Sequence, residues 1–249
     1  MTSGSAHDWI DGRTVVVTGA SGGLGAACVA AFADAGAHVV AMARRLEPLQ
    51  QLAAATPGDV EVRTCDTTDQ RSVEQAFGGL DVDVLVHGAG GNQPEPFLDV
   101  ELETFDRLMA VNVRSAFIAC QAAARSMRGH GHGGALVVIS SQMGHVGAPS
   151  RTVYCTAKHA VEGLVKSLGV ELAPVGIRAV SIAPTFVETP MTAPMLADPE
   201  FRRSVIDRIP IGRLGTPDEV ASAVLFAASP AAALITGSSI LTDGGWTAR

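Results

Sequence analysis

The chain alternates short runs of β-branched residues with longer Ala-rich stretches whose apolar positions follow helical spacing. The short runs are apolar on both faces, which indicates strands of a parallel sheet covered by helices on both sides. The pattern predicts seven strands: Arg13–Thr18, His38–Met42, Val60–Thr64, Val82–His87, Ala135–Ser140, Ile177–Ala183 and Ser238–Thr242. The intervening stretches predict six helices: Gly23–Ala35, Leu46–Ala55, Asp69–Phe77, Glu101–Met127, Thr152–Leu172 and Pro217–Ala228.

Strands that alternate with helices in this order predict an α/β fold, a Rossmann-like, doubly wound parallel sheet of about seven strands. No repeat or linker divides the chain, so we expect residues 1–249 to form a single domain. The stretch 184–215 is rich in Pro and Met and is predicted to be irregular. We interpret 185–215 as a lid over the substrate, the alternative being a solvent-exposed insertion.

Composition narrows the classes of partner. Lys and Arg number 18 against 25 Asp and Glu, a formal charge of −7 without a basic run, so nucleic acid and anionic membranes are not expected partners. The start of the chain, 1–12, is polar, and no apolar run is long enough to span a bilayer, which predicts a cytoplasmic protein. The four cysteines lie far apart, and we expect no metal site.

A Gly-rich turn follows the first predicted strand and carries the first candidate chemistry. The chain reads TGASGGLG over Thr18–Gly25, just before a predicted helix. Glycines at such a turn let the backbone approach a pyrophosphate, which the helix N-terminus attracts. The spacing does not satisfy GxGxxG, so by itself the turn is compatible with either a dinucleotide site or an ordinary Gly-rich turn.

The residues after the second strand favour NADP(H) over NAD(H). NAD-binding folds usually place an acidic residue there to hold ribose hydroxyls. This chain instead has Arg44, which could pair with a 2′-phosphate and stack on adenine, and Arg45, which we interpret as a solvated residue at a helix start. NAD(H) stays the alternative. Asp66, after the third strand, is interpreted either as an acceptor for the adenine amino group or as a cap.

Tyr154 and Lys158 share a face of one predicted helix because they are four residues apart. A nearby ammonium favours the phenolate and lowers the pKa of tyrosine, which suits a proton donor or acceptor near neutral pH. Ser141 ends the fifth strand, where its hydroxyl could hold a carbonyl oxygen beside the phenol. Taken alone, Tyr-x-x-x-Lys is a weak signal, equally compatible with an exposed helical pair.

Taken together, these motifs resemble those of the short-chain dehydrogenases/reductases of about this length, from about Arg13 onward. The matching pieces are Thr18–Gly25 (the family's TGxxxGxG), Asp66, Gly88–Gly90, Asn112, Ile139–Ser141, Tyr154-x-x-x-Lys158, Pro184–Thr189 and Asp243–Gly245. The chain departs from the family pattern at Gly88, where Asn is usual, and at Thr185, where Gly is usual.

The resemblance implies hydride transfer between a nicotinamide and a ketone or secondary alcohol. It assigns proton donation to Tyr154, lowering of the Tyr154 pKa to Lys158, placement of the substrate oxygen to Ser141 and a water link to Asn112. The cofactor contacts it implies, together with those argued above, are Gly19, Ser21, Gly23, Leu24, Gly25, Arg44, Asp66, Thr67, Gly88, Ala89, Gly90, Tyr154, Lys158, Pro184, Val187 and Thr189.

The substrate is less well defined than the cofactor. Gln142, His145 and Arg151 lie near Ser141 in the sequence and indicate a hydroxylated or acidic compound, such as a sugar, polyol or keto acid; a 3-oxoacyl compound is a further expectation. The resemblance also implies a homotetramer, with a dimer as the alternative. A non-catalytic dinucleotide sensor is the competing interpretation, although it would not need Ser141, Tyr154, Lys158 and Asn112 together.

Overall fold

The computed structural model describes residues 8–248, so the first seven residues of the polar N-terminal stretch and Arg249 lie outside the described residues. Seven strands form one parallel sheet in the order β3-β2-β1-β4-β5-β6-β7. The strands are β1 (Thr14–Thr18), β2 (His38–Ala43), β3 (Asp59–Thr64), β4 (Val84–His87), β5 (Gly134–Ile139), β6 (Ile177–Pro184) and β7 (Ser238–Thr242). The predicted doubly wound α/β fold is confirmed.

Helices cover both faces of this sheet. They are α1 (Gly23–Asp34), α2 (Leu46–Ala55), α3 (Gln70–Phe77), α4 (Leu102–Met109), α5 (Ser115–His130), α6 (Thr152–Leu172), α7 (Ala193–Leu196), α8 (Pro199–Ile206) and α9 (Pro217–Ala228). Alternate residues of one strand face opposite layers. Val15 and Val17 pack with α1, α2 and α9, whereas Val16 packs with α3, α5 and α6. Two apolar cores therefore enclose the sheet.

Two expectations for the helices were wrong. The region Glu101–Met127 is not one helix, because a π-helical turn at Ala110–Arg114 separates α4 from α5. The stretch 184–215 is not wholly irregular, since it contains α7 and α8. A small apolar cluster organises this stretch: Leu196, Val205, Ile209 and Leu214 are buried against Phe186, Phe201, Ile206 and Trp246.

The carboxyl ends of the parallel strands lie at one edge, where ligands bind in open α/β sheets. Gly19 shows how tightly this edge is built: its φ is +69°, and a Cβ there would lie 2.6 Å from the backbone nitrogen of Ala89. Gly25 is equally restricted, since its Cβ would lie 2.3 Å from the Gly19 carbonyl oxygen. The Gly19 contact brings the turns after β1 and β4 together, and neither glycine position has room for a side chain.

Candidate active site

The turn after β1 leads into α1 without a side-chain cap. The N-cap residue is Gly22, so the amides of the first turn of α1 have no side-chain acceptor. Such an N-terminus attracts phosphate oxygens. Thr189 lies over the turn, since a Cβ on Gly23 would be 2.9 Å from the Thr189 Cβ. Leu24 packs against the core beside this turn.

A cavity of about 210 Å³ lies between this turn and the ends of β2, β3 and β4. Half of the residues predicted to contact the cofactor line it: Gly19, Ser21, Arg44, Asp66, Thr67, Gly88, Ala89 and Gly90. Arg45 and Met191 line it as well, although neither was predicted as a contact. Two exposed guanidinium groups therefore border the cavity at the end of β2, where no carboxylate is present.

Asp66 has two roles. Its Oδ1 accepts hydrogen bonds from the Thr68 amide at 2.9 Å and the Thr68 hydroxyl at 2.7 Å. These bonds, and to a smaller extent the charge of Arg44, hold the pKa of the Asp66 carboxyl below its usual range. The capping of α3 itself falls to Asp69, whose carboxylate accepts from the amides of Arg71 and Ser72. Asp66 therefore supports the loop after β3 and also lines the cavity.

Tyr154, Lys158 and Ser141 meet at the start of α6. The Nζ atom of Lys158 lies 5.6 Å from the centroid of the Tyr154 ring and donates to the Ile139 carbonyl at 3.0 Å. A hydrogen bond with Ser141 acts to lower the pKa of Tyr154. The Ser141 hydroxyl also accepts from the Met143 amide at 3.1 Å, which fixes its position after β5.

Burial changes the electrostatics that we expected from the sequence. Desolvation raises the pKa of Tyr154 to about 12, against the lowering effects of Ser141 and Arg151. Desolvation also lowers the pKa of Lys158 to about 8, while the carboxylate of Glu162 acts to raise it. The effect is opposite to the low Tyr154 pKa expected from the sequence, because burial outweighs the favourable partners.

Asn112 lies in the π-helical turn and is 1% exposed. Its Nδ2 donates to the carbonyls of Leu108 and Gly91 at 2.9 Å each, and its Oδ1 accepts from the Gly91 amide at 3.3 Å. A Cβ on Gly90 would lie 2.9 Å from Asn112 Oδ1 and 3.7 Å from Lys158 Nζ. The π-turn therefore brings Asn112 to the same place as Lys158.

The three remaining cofactor candidates lie at the end of β6 and in the segment that follows it. Pro184 ends β6, and Val187 is buried in a single bridge with Gly215. The Thr189 hydroxyl lies 3.1 Å from the Thr192 hydroxyl. These contacts hold the beginning of 185–215 over the glycine turn.

The predicted substrate residues divide into two groups. Gln142 lines a cavity of about 230 Å³ and Arg151 one of about 180 Å³. Both cavities share Met143, Ala148, Arg208 and Trp246, and we call the combined space the substrate cleft. His145 is placed differently: its Nε2 lies 3.0 Å from Ser239 Oγ on β7 and 3.4 Å from Glu162 Oε1.

Sequence reasoning missed two residues around this site, Glu162 and Trp246. Glu162 continues the spacing of Tyr154 and Lys158 by one more turn of α6, a signal that was available. Trp246 gave no such signal, because it is far from Tyr154 and Lys158 in the sequence. Met191 and Arg208 lie within 185–215, the segment predicted to be the lid, and they line the cavities described above. Over residues 8–248, no cluster of three or more His, Cys, Asp or Glu side chains could hold a metal, and no helix is long and apolar enough to cross a membrane.

Comparison with known proteins agrees with this geometry. The family model described as enoyl-(acyl carrier protein) reductase matches residues 19–247. The chain is 39% identical to L-xylulose reductase of Bos taurus over 238 residues, covering 95% of this chain and 97% of that protein. It is also 39% identical, with the same coverage, to the protein named carbonyl reductase (NADPH) 2 of Sus scrofa.

A solved structure supports the same relationship. The crystal structure of a proposed 2-deoxy-d-gluconate 3-dehydrogenase from Agrobacterium tumefaciens, with bound NADP, superposes with a TM-score of 0.91 at 35% identity. The match covers 96% of this chain and 98% of that one. The similarity therefore extends over the sheet, α6 and the segment after β6 together.

Proposed function

Because this chain belongs to the short-chain dehydrogenase/reductase family, we propose that it is an NADP(H)-preferring carbonyl reductase. It transfers hydride between the nicotinamide and a ketone or secondary alcohol of a small polyhydroxylated compound. The observation that carries this proposal is the meeting of Tyr154, Ser141, Lys158 and Asn112 beside the cavity at the glycine turn. A sensor that only binds dinucleotide would not need this group.

The cofactor preference rests on the shape and charge of the cavity. Gly19 lines it with backbone alone, since a side chain there would collide with the backbone of Gly88 and Ala89. Its β2 end is cationic, with Arg44 and Arg45 and no carboxylate, which suits a 2′-phosphate. The related NADPH carbonyl reductase and the NADP-bound neighbour support the same choice.

In the proposed reaction, the cofactor and the protein side chains have separate roles. A bound nicotinamide supplies or accepts the hydride. Ser141 orients the substrate oxygen, and Tyr154 gives its proton to that oxygen as negative charge develops there. Lys158 stabilises the phenolate that remains and holds the nicotinamide ribose. Asn112 maintains the water through which Lys158 exchanges protons with solvent.

Segment 185–215 is proposed to be the substrate lid of a single domain that spans 1–249. Its Met191 reaches the cofactor cavity, and Phe186 and Phe201 line the substrate cleft. The rings of Phe186 and Trp246 lie 5.9 Å apart, which joins the lid to the end of the chain. Closure of such a segment would exclude water from the carbonyl.

We further propose a homotetramer, with a dimer as the alternative, in the cytoplasm. Large apolar side chains are exposed on two pairs of elements: Leu102, Phe105 and Phe117 on α4 and α5, and Val170 and Leu241 on α6 and β7. Two such surfaces suit an assembly with two kinds of contact. Four free, buried cysteines suit a reducing compartment. Light scattering of the purified protein measures the assembly.

A panel of substrates tests the reaction. It contains L-xylulose, D-erythrulose, diacetyl, 5-ketogluconate and crotonyl thioester, each with NADPH and NADH, and the matching alcohols with the oxidised cofactors. We expect carbonyl turnover with NADPH at a kcat/KM at least about tenfold above NADH. Turnover of the enoyl thioester alone, or cofactor binding without any turnover, would overturn the proposal. Equal use of NADH would overturn the cofactor preference.

A further inference from the structure

Arg151 is a buried cation for which residues 8–248 provide no anion. The residue is 7% exposed, and in the described part of the chain no carboxylate oxygen lies within ion-pair distance of its guanidinium. Its Nη1 donates to the Ser150 carbonyl at 3.1 Å, its Nη2 lies 3.2 Å from Met195 Sδ, and its Nε has no partner. Such a group is costly to bury unless a ligand neutralises it.

Arg178 is a second, partly buried arginine and provides a comparison, because its guanidinium has a purely structural role. Burial lowers the pKa of both arginines. Arg178 donates to the carbonyls of Ala227, Ala228, Ser229 and Ile235, at 2.7 to 3.4 Å. The carbonyls that accept these hydrogen bonds lie at the end of α9 and in the loop that follows it. Arg151 instead lines the substrate cleft and has a buried Nε donor without a partner.

The backbone before Arg151 is itself unusual. Ser150 has a φ of 55°, and it is the one residue other than glycine with a positive φ in the range 8–248. This left-handed conformation costs free energy for a residue with a side chain, and such strain collects at functional sites. Arg151 follows as the N-cap of α6, three residues before Tyr154. The strained turn thus sets a guanidinium beside the proton donor.

The rest of the cleft carries polar groups but no negative charge. Gln142 is 1% exposed, and neither its Oε1 nor its Nε2 has a hydrogen-bond partner. The Arg208 guanidinium lies 5.9 Å from the Trp246 ring at the open side. Among the residues that the structure describes, no Asp or Glu lines either cavity of the cleft. Glu95 reaches Ser150 through its backbone amide at 3.0 Å, yet its carboxylate forms no ion pair with Arg151.

We propose that the substrate carries a carboxylate, which Arg151 binds while the carbonyl to be reduced lies at Tyr154 and Ser141. Gln142 then hydrogen-bonds a hydroxyl group between these two ends. The substrate class is a keto acid with several hydroxyl groups, reduced to the corresponding hydroxy acid. This inference rests on the proposed reductase activity and adds the chemical group that decides among substrates.

A matched pair of ketoses tests the inference in the intact enzyme. 5-Ketogluconate and L-sorbose differ in a carboxylate that replaces one terminal hydroxymethyl group. We expect the wild-type kcat/KM with NADPH to be at least about tenfold higher for the keto acid, since a charge-assisted pair to a buried guanidinium discriminates strongly. Fructose 6-phosphate distinguishes a carboxylate from a phosphate; better turnover of the phosphate ester would overturn the proposed class.

Variants of Arg151 separate recognition from structure. Arg151→Gln should lower the kcat/KM for 5-ketogluconate by about 30-fold or more. Because Arg151 also lowers the pKa of Tyr154, its loss acts on both ketoses, so the readout is the ratio of their kcat/KM values. That ratio should fall at least about tenfold in Arg151→Gln and recover partly in Arg151→Lys. Arg128→Gln, at the exposed end of α5, is the matched control and should leave the ratio unchanged.

Binding of the product analogue keeps the inference apart from the proposed activity. Titration of the NADPH complex with d-gluconate and with sorbitol, followed by nicotinamide fluorescence, should show tighter binding of gluconate, lost in Arg151→Gln. If gluconate binds this way but no carbonyl is turned over, the carboxylate site stands and the reductase proposal fails. If ketones are reduced without preference for the acid, or with a ratio that Arg151→Gln does not change, the carboxylate site is refuted and the reductase proposal stands.

Discussion

Glu162 lies one helical turn after Lys158 on α6, and its carboxylate raises the pKa of the Lys158 ammonium against the desolvation that lowers it to about 8. Glu162 is itself buried, with Oε2 accepting from the Ser181 hydroxyl at 2.7 Å. The pair therefore holds a positive charge beneath the Tyr154 ring in a region with little water. The sign of this coupling leads to a pH prediction.

Glu162→Gln keeps a hydrogen-bonding side chain but removes the negative charge. The pKa of Lys158 should then fall further, so the lysine loses its proton at a lower pH. Because the charged lysine supports Tyr154, the alkaline limb of the kcat/KM profile should move to lower pH by at least about half a unit. Steady-state reduction measured from pH 5.5 to 9.5 gives the profile. Glu171→Gln, exposed on the same helix, is the control, and an equal shift in both variants would contradict the coupling.

Tyr154→Phe removes the proposed proton donor and changes little else in shape. The kcat of carbonyl reduction should fall by about a thousandfold, within the range for loss of a positioned general acid. NADPH affinity should change less than about threefold, because the phosphate cavity lies on other elements. Single-turnover hydride transfer and fluorescence titration measure the two quantities. Retention of most of the kcat would assign the proton to another group.

The sheet and the catalytic helix could be predicted because local signals determine them. Alternating runs located the seven strands, and α6 was predicted with the bounds that the structure shows. α9 was also predicted with its observed bounds, and in the structure Thr216 and Glu219 form a capping box at its start. In each case the residues that start or stop the element lie within a few positions of its end.

Other features depend on contacts between distant parts of the chain. The π-turn at Ala110–Arg114 keeps the apolar pattern of a helix, so periodicity alone joined α4 to α5. The helices of 185–215 are short and form against Trp246, which is far away in the sequence. Arg151 is likewise unpaired because the fold places no carboxylate of the described residues within ion-pair distance of its guanidinium. None of these relationships can be predicted from the spacing of residues that are close together in the sequence.

Arg44→Gln tests the cofactor preference. If Arg44 pairs with the 2′-phosphate, its loss should weaken NADPH binding by about tenfold or more and leave NADH binding within about twofold. Arg45→Gln provides the comparison, since Arg45 lines the same cavity but was predicted to be solvated. Fluorescence titrations of the three proteins give the dissociation constants. A larger effect from Arg45→Gln would transfer the phosphate contact to Arg45.

His87 should make the protein less stable in mild acid. The ring is fully buried, with Nδ1 2.9 Å from the Thr18 hydroxyl and Nε2 3.2 Å from the Ser115 hydroxyl. Desolvation, with a smaller effect of Lys158, lowers its pKa from 6.5 to about 3. Between these values the unfolded chain binds a proton that the folded protein does not. His87 therefore lowers the free energy of unfolding by about 1.4 kcal/mol per pH unit as pH falls from 6.5 towards 3.

His87→Asn removes this titration while keeping a polar side chain between the two hydroxyls. Its free energy of unfolding should be lower than wild type at pH 8, because the ring packing is lost, but should fall less steeply from pH 6.5 to 4.5. Denaturant unfolding at half-unit pH steps measures the slope. His132→Asn is the matched control, since His132 is exposed and its replacement should leave the wild-type slope. An unchanged slope in His87→Asn would show that the buried imidazole does not govern the acid sensitivity.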